Sequence, residues 1–133
     1  MSNANVSLVQ NLYAAFGRGD IAAVLAGLAP DVDWQTIGQA RHYPVFGPRN
    51  GIAAVREFFE LVGANEDFAE FLPREFYPVD DKVFVLGRYT LKMKKTRRPV
   101  ACEWVHVFTI KDGKVTRWRE HTDTAQFAEA YRG

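Results

Sequence analysis

"EWVHVFTIKDGKVTRWREH", residues 103–121, reads as two short antiparallel strands joined at Asp112-Gly113. Asp-Gly suits both central positions of a type I′ turn, which require positive φ, and is the strongest hairpin signal in the chain. The first arm is almost entirely apolar, yet His106 interrupts it. The second arm sets Arg117, Arg119 and Glu120 around Trp118. Core strands that carry such groups either have a wet face or line a pocket that uses them.

Upstream of this hairpin the apolar residues keep a period of two, which predicts strands at about 67–77, 82–94 and 99–110, with turns at "PVDD" and "KTRR". Further back the period becomes helical. Leu8, Val9, Leu12, Tyr13 and Phe16 form one stripe that "GRGD" ends. Asp20 caps a second helix, with Ile21, Val24, Leu25 and Leu28 inward and Pro30 as its stop. "DVDWQTI" (31–37) reads as a brief strand, and "GQARHYPVFGPRNG" (38–51) has the Gly and Pro content of a structured loop. A third helix runs from about Gly51, with Ile52, Val55, Phe58, Phe59 and Val62 on one side. After the last strand, Asp123 or Thr124 caps a short helix holding Phe127 and Tyr131. Helices first and strands afterwards predict an α+β domain. No repeat or Ser/Gly-rich linker divides it, so residues 1–133 read as a single domain.

Strand alternation sorts the side chains by face. Cys102, Trp104, His106, Phe108 and Ile110 share one face of their strand; Glu103, Val105, Val107 and Thr109 share the other. Valines on that second face predict that it too is covered, by a second copy of the chain. On the preceding strand Phe84, Leu86, Arg88 and Thr90 alternate with Val83, Val85, Gly87 and Tyr89. On the last, Thr116, Trp118 and Glu120 alternate with Val115, Arg117 and Arg119. If large aromatics mark the helix-covered side, His106, Arg88 and Glu120 all point towards it. They would form either an Arg88–Glu120 ion pair with a backbone-bonded His106, or the polar end of a pocket.

Composition narrows the partners. Seventeen Lys plus Arg against 16 Asp plus Glu give no field favouring nucleic acid or a membrane surface. "KMKKTRR" (92–98) reads as a solvated hairpin tip. A single cysteine, Cys102, and the lack of an 18-residue apolar span predict a cytoplasmic protein without internal disulfides. Cys102 reads as a small buried hydrophobe. The opening Ser2-Asn3-Ala4 fits a cloning remnant or a native start equally. His42, His106 and His121 lack metal-ligand spacing, and "GPRNG" has no strand feeding into it, so neither a metal site nor a dinucleotide site is predicted. No cofactor is expected, and any chemistry rests on side chains.

"LYAAFGRGDIAAVLAGLAPDVDW", "NGIAAVREFFELV", "VFVLGRYTLK" and "EWVHVFTIKDGKVTRWREHTDTAQF" resemble the SnoaL-like polyketide cyclase group of the nuclear transport factor 2-like superfamily, over almost the entire chain. The resemblance implies a cone of helices on a curved, mainly antiparallel sheet, an apolar ligand cavity, and dimerisation through the outer sheet face. It does not select a reaction, since the fold hosts cyclases, isomerases, epoxide hydrolases, dehydratases and binding domains. Against limonene-epoxide hydrolases, Arg88, Trp118 and Glu120 match, but Thr90 replaces an Asp and cannot transfer its proton. Against ketosteroid isomerases, His106 stands where a protonated Asp donates to the enolate oxygen and His42 falls near the base, while Leu12 takes the place of the oxyanion tyrosine. Against SnoaL-type cyclases, His106 matches the acid–base histidine, and Glu120 or Asp123 matches the carboxylate; "DTAQ" also reads as a helix cap.

The expected site follows. His106 is the proton donor or general acid, Arg88 steadies developing negative charge, and Glu120 orients it or acts as base. Trp34, His42, Tyr43, Phe58 and Trp118 form the wall and mouth. The reading is isomerisation, cyclisation or dehydration of an apolar carbonyl compound, with a non-catalytic ligand-binding or accessory dimer as the alternative.

Overall fold

The Asp112-Gly113 turn forms as its sequence predicts, with φ of 52° and 75°, and it joins β5 (Pro99–Lys111) to β6 (Lys114–His121). The computed structural model describes residues 4–133, so Ser2 and Asn3 of the opening triplet lie outside the described residues. Around that hairpin stand α1 (Ala4–Gly17), α2 (Ile21–Ala26), β1 (Leu28–Thr36), β2 (Gly47–Asn50), α3 (Ile52–Asn65), β3 (Glu66–Val79), β4 (Lys82–Met93) and α4 (Thr124–Arg132). The six strands make one open sheet in the order β2-β1-β6-β5-β4-β3, antiparallel throughout except where β1 runs parallel to β6. This is the curved α+β architecture that the sequence implies. Among the described residues no helix is long and apolar enough to cross a membrane.

Irregularities in the ladders bend the sheet. Register shifts fall at Phe68/Glu70 and Pro73/Glu75 in the β3–β4 pair and at Thr109/Ile110 in the β5–β6 pair; such bulges increase local twist and coil a sheet around what it covers. The bulge in β6 also changes a face. Thr109 pairs with Arg117 but Ile110 with Val115, so Thr116 is the extra residue and Val115, not Thr116, joins Trp118 and Glu120 in the buried set. Helix ends carry the predicted caps: Asp20 accepts from the Ala23 N–H at 3.1 Å and Asp123 from the Gln126 N–H at 3.2 Å.

Three further expectations change. The second helix stops at Ala26, because the Gly27 carbonyl accepts from the Val115 N–H at 2.9 Å and draws the chain into the sheet, so Leu28 opens β1. Part of the structured loop is the four-residue strand β2, paired with β1 from Asp33↔Asn50 to Thr36↔Gly47. The largest change concerns β4. Val83, Val85, Gly87, Tyr89 and Leu91 face the core, whereas Phe84, Leu86, Arg88 and Thr90 lie on the outer face.

Gly87 explains that inversion. It sits opposite Trp104 in register, and a Cβ there would collide with the Trp104 indole and stand 2.7 Å from the Leu72 carbonyl oxygen. The missing side chain is the space that the largest core residue fills. A β4 face carrying a glycine is therefore the packed one, and the bulkier Phe84–Leu86–Arg88 series is left outside.

Gly87→Ala should destabilise the fold by roughly 1–3 kcal/mol through overpacking. Gly63→Ala, on α3 with open space around the new methyl, should be neutral or stabilising by up to about 1 kcal/mol. Urea denaturation of the two variants checks the contrast.

Candidate functional site

β5 and β6 place His106 opposite Glu120 in register, and both side chains face inward. Their exposures are 3% and 9%, so every polar atom on them needs a partner inside the protein. His106 Nε2 lies 2.8 Å from Glu120 Oε2, and His106 Nδ1 lies 2.7 Å from the Tyr13 hydroxyl. A carboxylate only accepts, so the network assigns the proton to Nε2; Nδ1 then accepts from the Tyr13 O–H. The other Glu120 oxygen accepts from Thr36 Oγ1 at 2.8 Å, and the Tyr89 hydroxyl stands 3.2 Å from Oε2 and 2.7 Å from Thr122 Oγ1.

Aromatic packing fixes the imidazole plane. Trp104 stacks on it at 3.8 Å and 21°, and Tyr13 lies nearly parallel at 18°. Burial holds the His106 pKa below the ordinary histidine value, against the opposing hydrogen bond and charge of Glu120. The imidazole is thus neutral near pH 7, with one lone pair engaged by Tyr13. Burial first, and then the charge of Glu120, push Tyr13 and Tyr89 well above the ordinary phenol range, so both remain protonated donors.

This cluster borders a cavity of about 80 Å³ between the sheet and α1, α3 and α4, with an almost wholly apolar wall. Of the residues expected to form the site, Trp34, Tyr43, Phe58 and Trp118 line the cavity together with His106 and Glu120. Trp34 and Trp118 stack at 4.1 Å, with the Phe58 ring edge-on at 5.7 Å to each. Arg88 does not join them. It stands on the opposite sheet face across from Glu103, in an outer groove shared with Arg74, Glu75, Val105 and His121. His42 is exposed on the loop before β2 and lines neither cavity nor groove. The expected Arg88–Glu120 pair is therefore replaced by His106–Glu120.

Asp123 is settled by its partners as well. Its two oxygens take the Gln126 N–H and, at 2.9 Å, the Gln126 side-chain amide, which together hold its carboxyl below the usual range. It is an exposed helix cap. Four polar residues of the cavity escaped the sequence reading: Tyr13, Thr36, Glu66 and Tyr89. Tyr13 looked like one more stripe residue of α1, and Tyr89 and Thr36 became legible once strand faces were fixed. Glu66 falls at the α3–β3 junction, where neither period applies.

Among the described residues no three His, Cys, Asp or Glu side chains converge as a metal ion would require. The titratable groups of the cavity wall are the Tyr13–His106–Glu120 chain, Tyr89, Tyr43 and Glu66.

The model of the SnoaL-like domain matches residues 9–118, most of the chain. The chain belongs to the SnoaL-like domain family. It is 30% identical to an NTF2-like protein from Burkholderia pseudomallei, with all of both chains covered and a TM-score of 0.88. It is 32% identical to an NTF2-like protein from Burkholderia xenovorans, over 98% of this chain and 97% of that one, with a TM-score of 0.88. TerC, co-crystallised with polyporic acid, is 30% identical over 98% of this chain and 100% of its own, with a TM-score of 0.84. No curated protein matches. These likenesses fix the SnoaL-like fold and leave the chemistry to the residues of the cavity.

In this SnoaL-like domain His106→Phe should orphan the Tyr13 hydroxyl and one bond of the Glu120 carboxylate, at roughly 1–3 kcal/mol for each buried group left unpaired. Because the folded pKa of His106 is depressed, its contribution is complete above the unfolded value of about 6.5 and is lost as pH falls below it, where the unfolded chain takes up the proton. Wild-type stability should therefore decline more steeply than that of the Phe variant between about pH 6.5 and 5. Thermal melts across that range measure both effects.

Proposed function

We propose that the chain is a cofactor-independent acid–base enzyme that moves a proton next to the carbonyl of an apolar small molecule, as in isomerisation, cyclisation or dehydration. The observation that carries this reading is the hydrogen-bonded series Tyr13–His106–Glu120 ending on an apolar cavity. Glu120 orients the imidazole and offsets the positive charge that forms when Nδ1 takes a proton. Tyr13 is the cavity end of the series. Its oxygen takes the substrate proton as its own hydroxyl proton passes to Nδ1, so no free phenolate has to form, which the raised tyrosine pKa disfavours.

The small cavity supports a small or flat occupant. Its volume is about half that of the apolar cavities of about 150 Å³ that accept benzene, so an aromatic occupant requires the half-buried wall residues Phe16, Phe59, Phe68 and Phe71 to part. Likeness to TerC, which was co-crystallised with polyporic acid, supports a small organic ligand for this cavity. We read the protein as cytoplasmic, on its lone unpaired cysteine. We read it as a homodimer through the outer sheet face, where Phe84, Leu86, Val105 and Val107 are half-buried.

A second reading has its own support. Both His106 nitrogens are engaged within the protein, as a ligand-binding domain without turnover would also have them. Deuterium uptake at the carbons flanking the carbonyl of acetophenone and phenylacetone, followed by proton NMR in heavy water, separates the two. The enzyme should accelerate uptake over buffer, and Glu120→Gln should remove about 100-fold of that rate. Uptake no faster than in buffer would favour the binding domain.

For the dimer, Val107→Arg should give monomers or aggregates, because it places an unpaired charge in the proposed interface. Sedimentation velocity at micromolar concentration reads the result, and a wild-type monomer there would refute the assignment.

A further inference from the structure

Glu66 is a cavity carboxyl that the Tyr13–His106–Glu120 series does not use. The end of α3 holds it in place, its backbone N–H bonding to the Val62 carbonyl while β3 begins in register with Met93 of β4. Its Oε2 accepts from the Tyr43 hydroxyl at 2.7 Å. Tyr43 has no exposed surface and is held by Phe127 at 5.7 Å, Phe46 at 5.2 Å and Tyr131 at 5.1 Å, so that donor cannot swing away. Oε1 has no hydrogen-bond partner among the described residues, and Glu66 takes part in no ion pair there. Lys94, a nearby cation on the adjoining turn, is bonded to the Gly63 carbonyl at 2.6 Å.

We propose that Glu66, as a neutral carboxylic acid, donates the proton of its unpartnered oxygen to the carbonyl oxygen of the ligand, with Tyr43 as its positioning residue. The inference rests on the acid–base reading of the same cavity. Three features support it. Tyr43 occupies one oxygen, which leaves the acidic proton on the other. Desolvation of this half-buried group beside the aromatic wall, opposed by the Tyr43 hydrogen bond and reinforced by the negative charge of Glu120, pushes the carboxyl up to about 8. The other titratable groups on the cavity wall are Tyr13, Tyr43, Tyr89, His106 and Glu120, with Tyr131 behind Tyr43; none supplies a cation that would ionise Glu66 at neutral pH.

The step balances without a further reactant. The C–H bond beside the carbonyl breaks, its proton passes to the Tyr13 oxygen as the Tyr13 proton moves to His106 Nδ1, and its electron pair becomes the carbon–carbon double bond. The carbonyl π pair moves onto oxygen, which takes the Glu66 proton. An enol, an imidazolium and a Glu66 carboxylate result, and the net charge of the cavity is unchanged. Return of both protons, at the original carbon or at a conjugated one, regenerates the site.

The test uses the whole protein and two probes of like shape, acetophenone and ethylbenzene, the second without an oxygen. Infrared titration of the wild type should show a carboxylic-acid C=O band that disappears near pH 8 and is missing from Glu66→Gln. Acetophenone affinity should fall about tenfold or more between pH 6.5 and 9.5 as the donor ionises, with ethylbenzene affinity unchanged. Glu66→Gln, whose amide keeps a donor but cannot ionise, should make acetophenone affinity flat with pH. Tyr43→Phe removes a bond that favours the carboxylate and should move the band's midpoint to higher pH.

No band in the wild type, no binding of acetophenone, pH-independent acetophenone affinity, or a pH dependence that survives Glu66→Gln would each overturn the assignment. If Glu66→Gln does not fold, the wild-type band and the two-probe contrast decide. Carbonyl-linked binding without deuterium uptake would refute the acid–base enzyme and leave Glu66 as a ligand donor. Deuterium uptake with flat affinity would refute only the role of Glu66.

Discussion

A single buried carboxylate ties the sheet together. Glu120 on β6 takes bonds from Thr36 on β1 and His106 on β5, and lies within reach of Tyr89 on β4. A charge withdrawn from water is tolerated only when such donors surround it, and losing one partner costs several times what the intact set contributes. Four neighbouring strands must therefore hold their registers at once for this residue to be satisfied. That requirement explains why the β6 bulge lies at Thr116, upstream of the site: from Arg117 to His121 the ladder with β5 is regular and His106 stays opposite Glu120.

The geometry around the imidazole follows from one absent side chain. Gly87 admits the Trp104 indole, Trp104 stacks on His106, and Tyr13 closes the other nitrogen from α1. A histidine in an apolar strand is then neither a lone polar intruder nor a backbone-bonded filler. It is the centre of a series that runs from helix to cavity to sheet, and its orientation is set before any ligand arrives, which is what acid–base work requires.

Much of this was legible in the sequence, and the failures have physical causes. The β6 limits, the I′ turn and the two aspartate caps were fixed by local chemistry, where turn and cap residues act over three or four positions. Alternation divided β4 correctly into two sets, but it cannot say which set faces inward. Counting large side chains pointed the wrong way because the packed set contains the glycine that makes room for Trp104, and Arg88 went to the wrong side with it. Pro48 and the brevity of β2 hid that strand. Leu28 continued the stripe of α2 in sequence, yet a carbonyl bonded across to Val115 ended the helix first. Tyr13 and Glu66 carried no local signal, since a polar group that works across 93 or 23 residues of chain is invisible to any short window; their partners are His106 and Tyr43.

The parallel pairing of β1 with β6 joins Asp33–Thr36 to Arg117–Glu120, nearly opposite ends of the chain. During synthesis the N-terminal helices and the β1–β2 ribbon emerge with Trp34 and one strand edge uncovered, and they wait for the last strand before either is sheltered. Long-range pairing of this kind closes a large loop before it gains contacts, which slows folding relative to a helical domain of equal length. A chain released short of residue 120 would keep that edge and its aromatic residues open to other chains, as aggregation requires. The contact that completes the site is thus also the one that ends the protein's exposure to its neighbours on the ribosome.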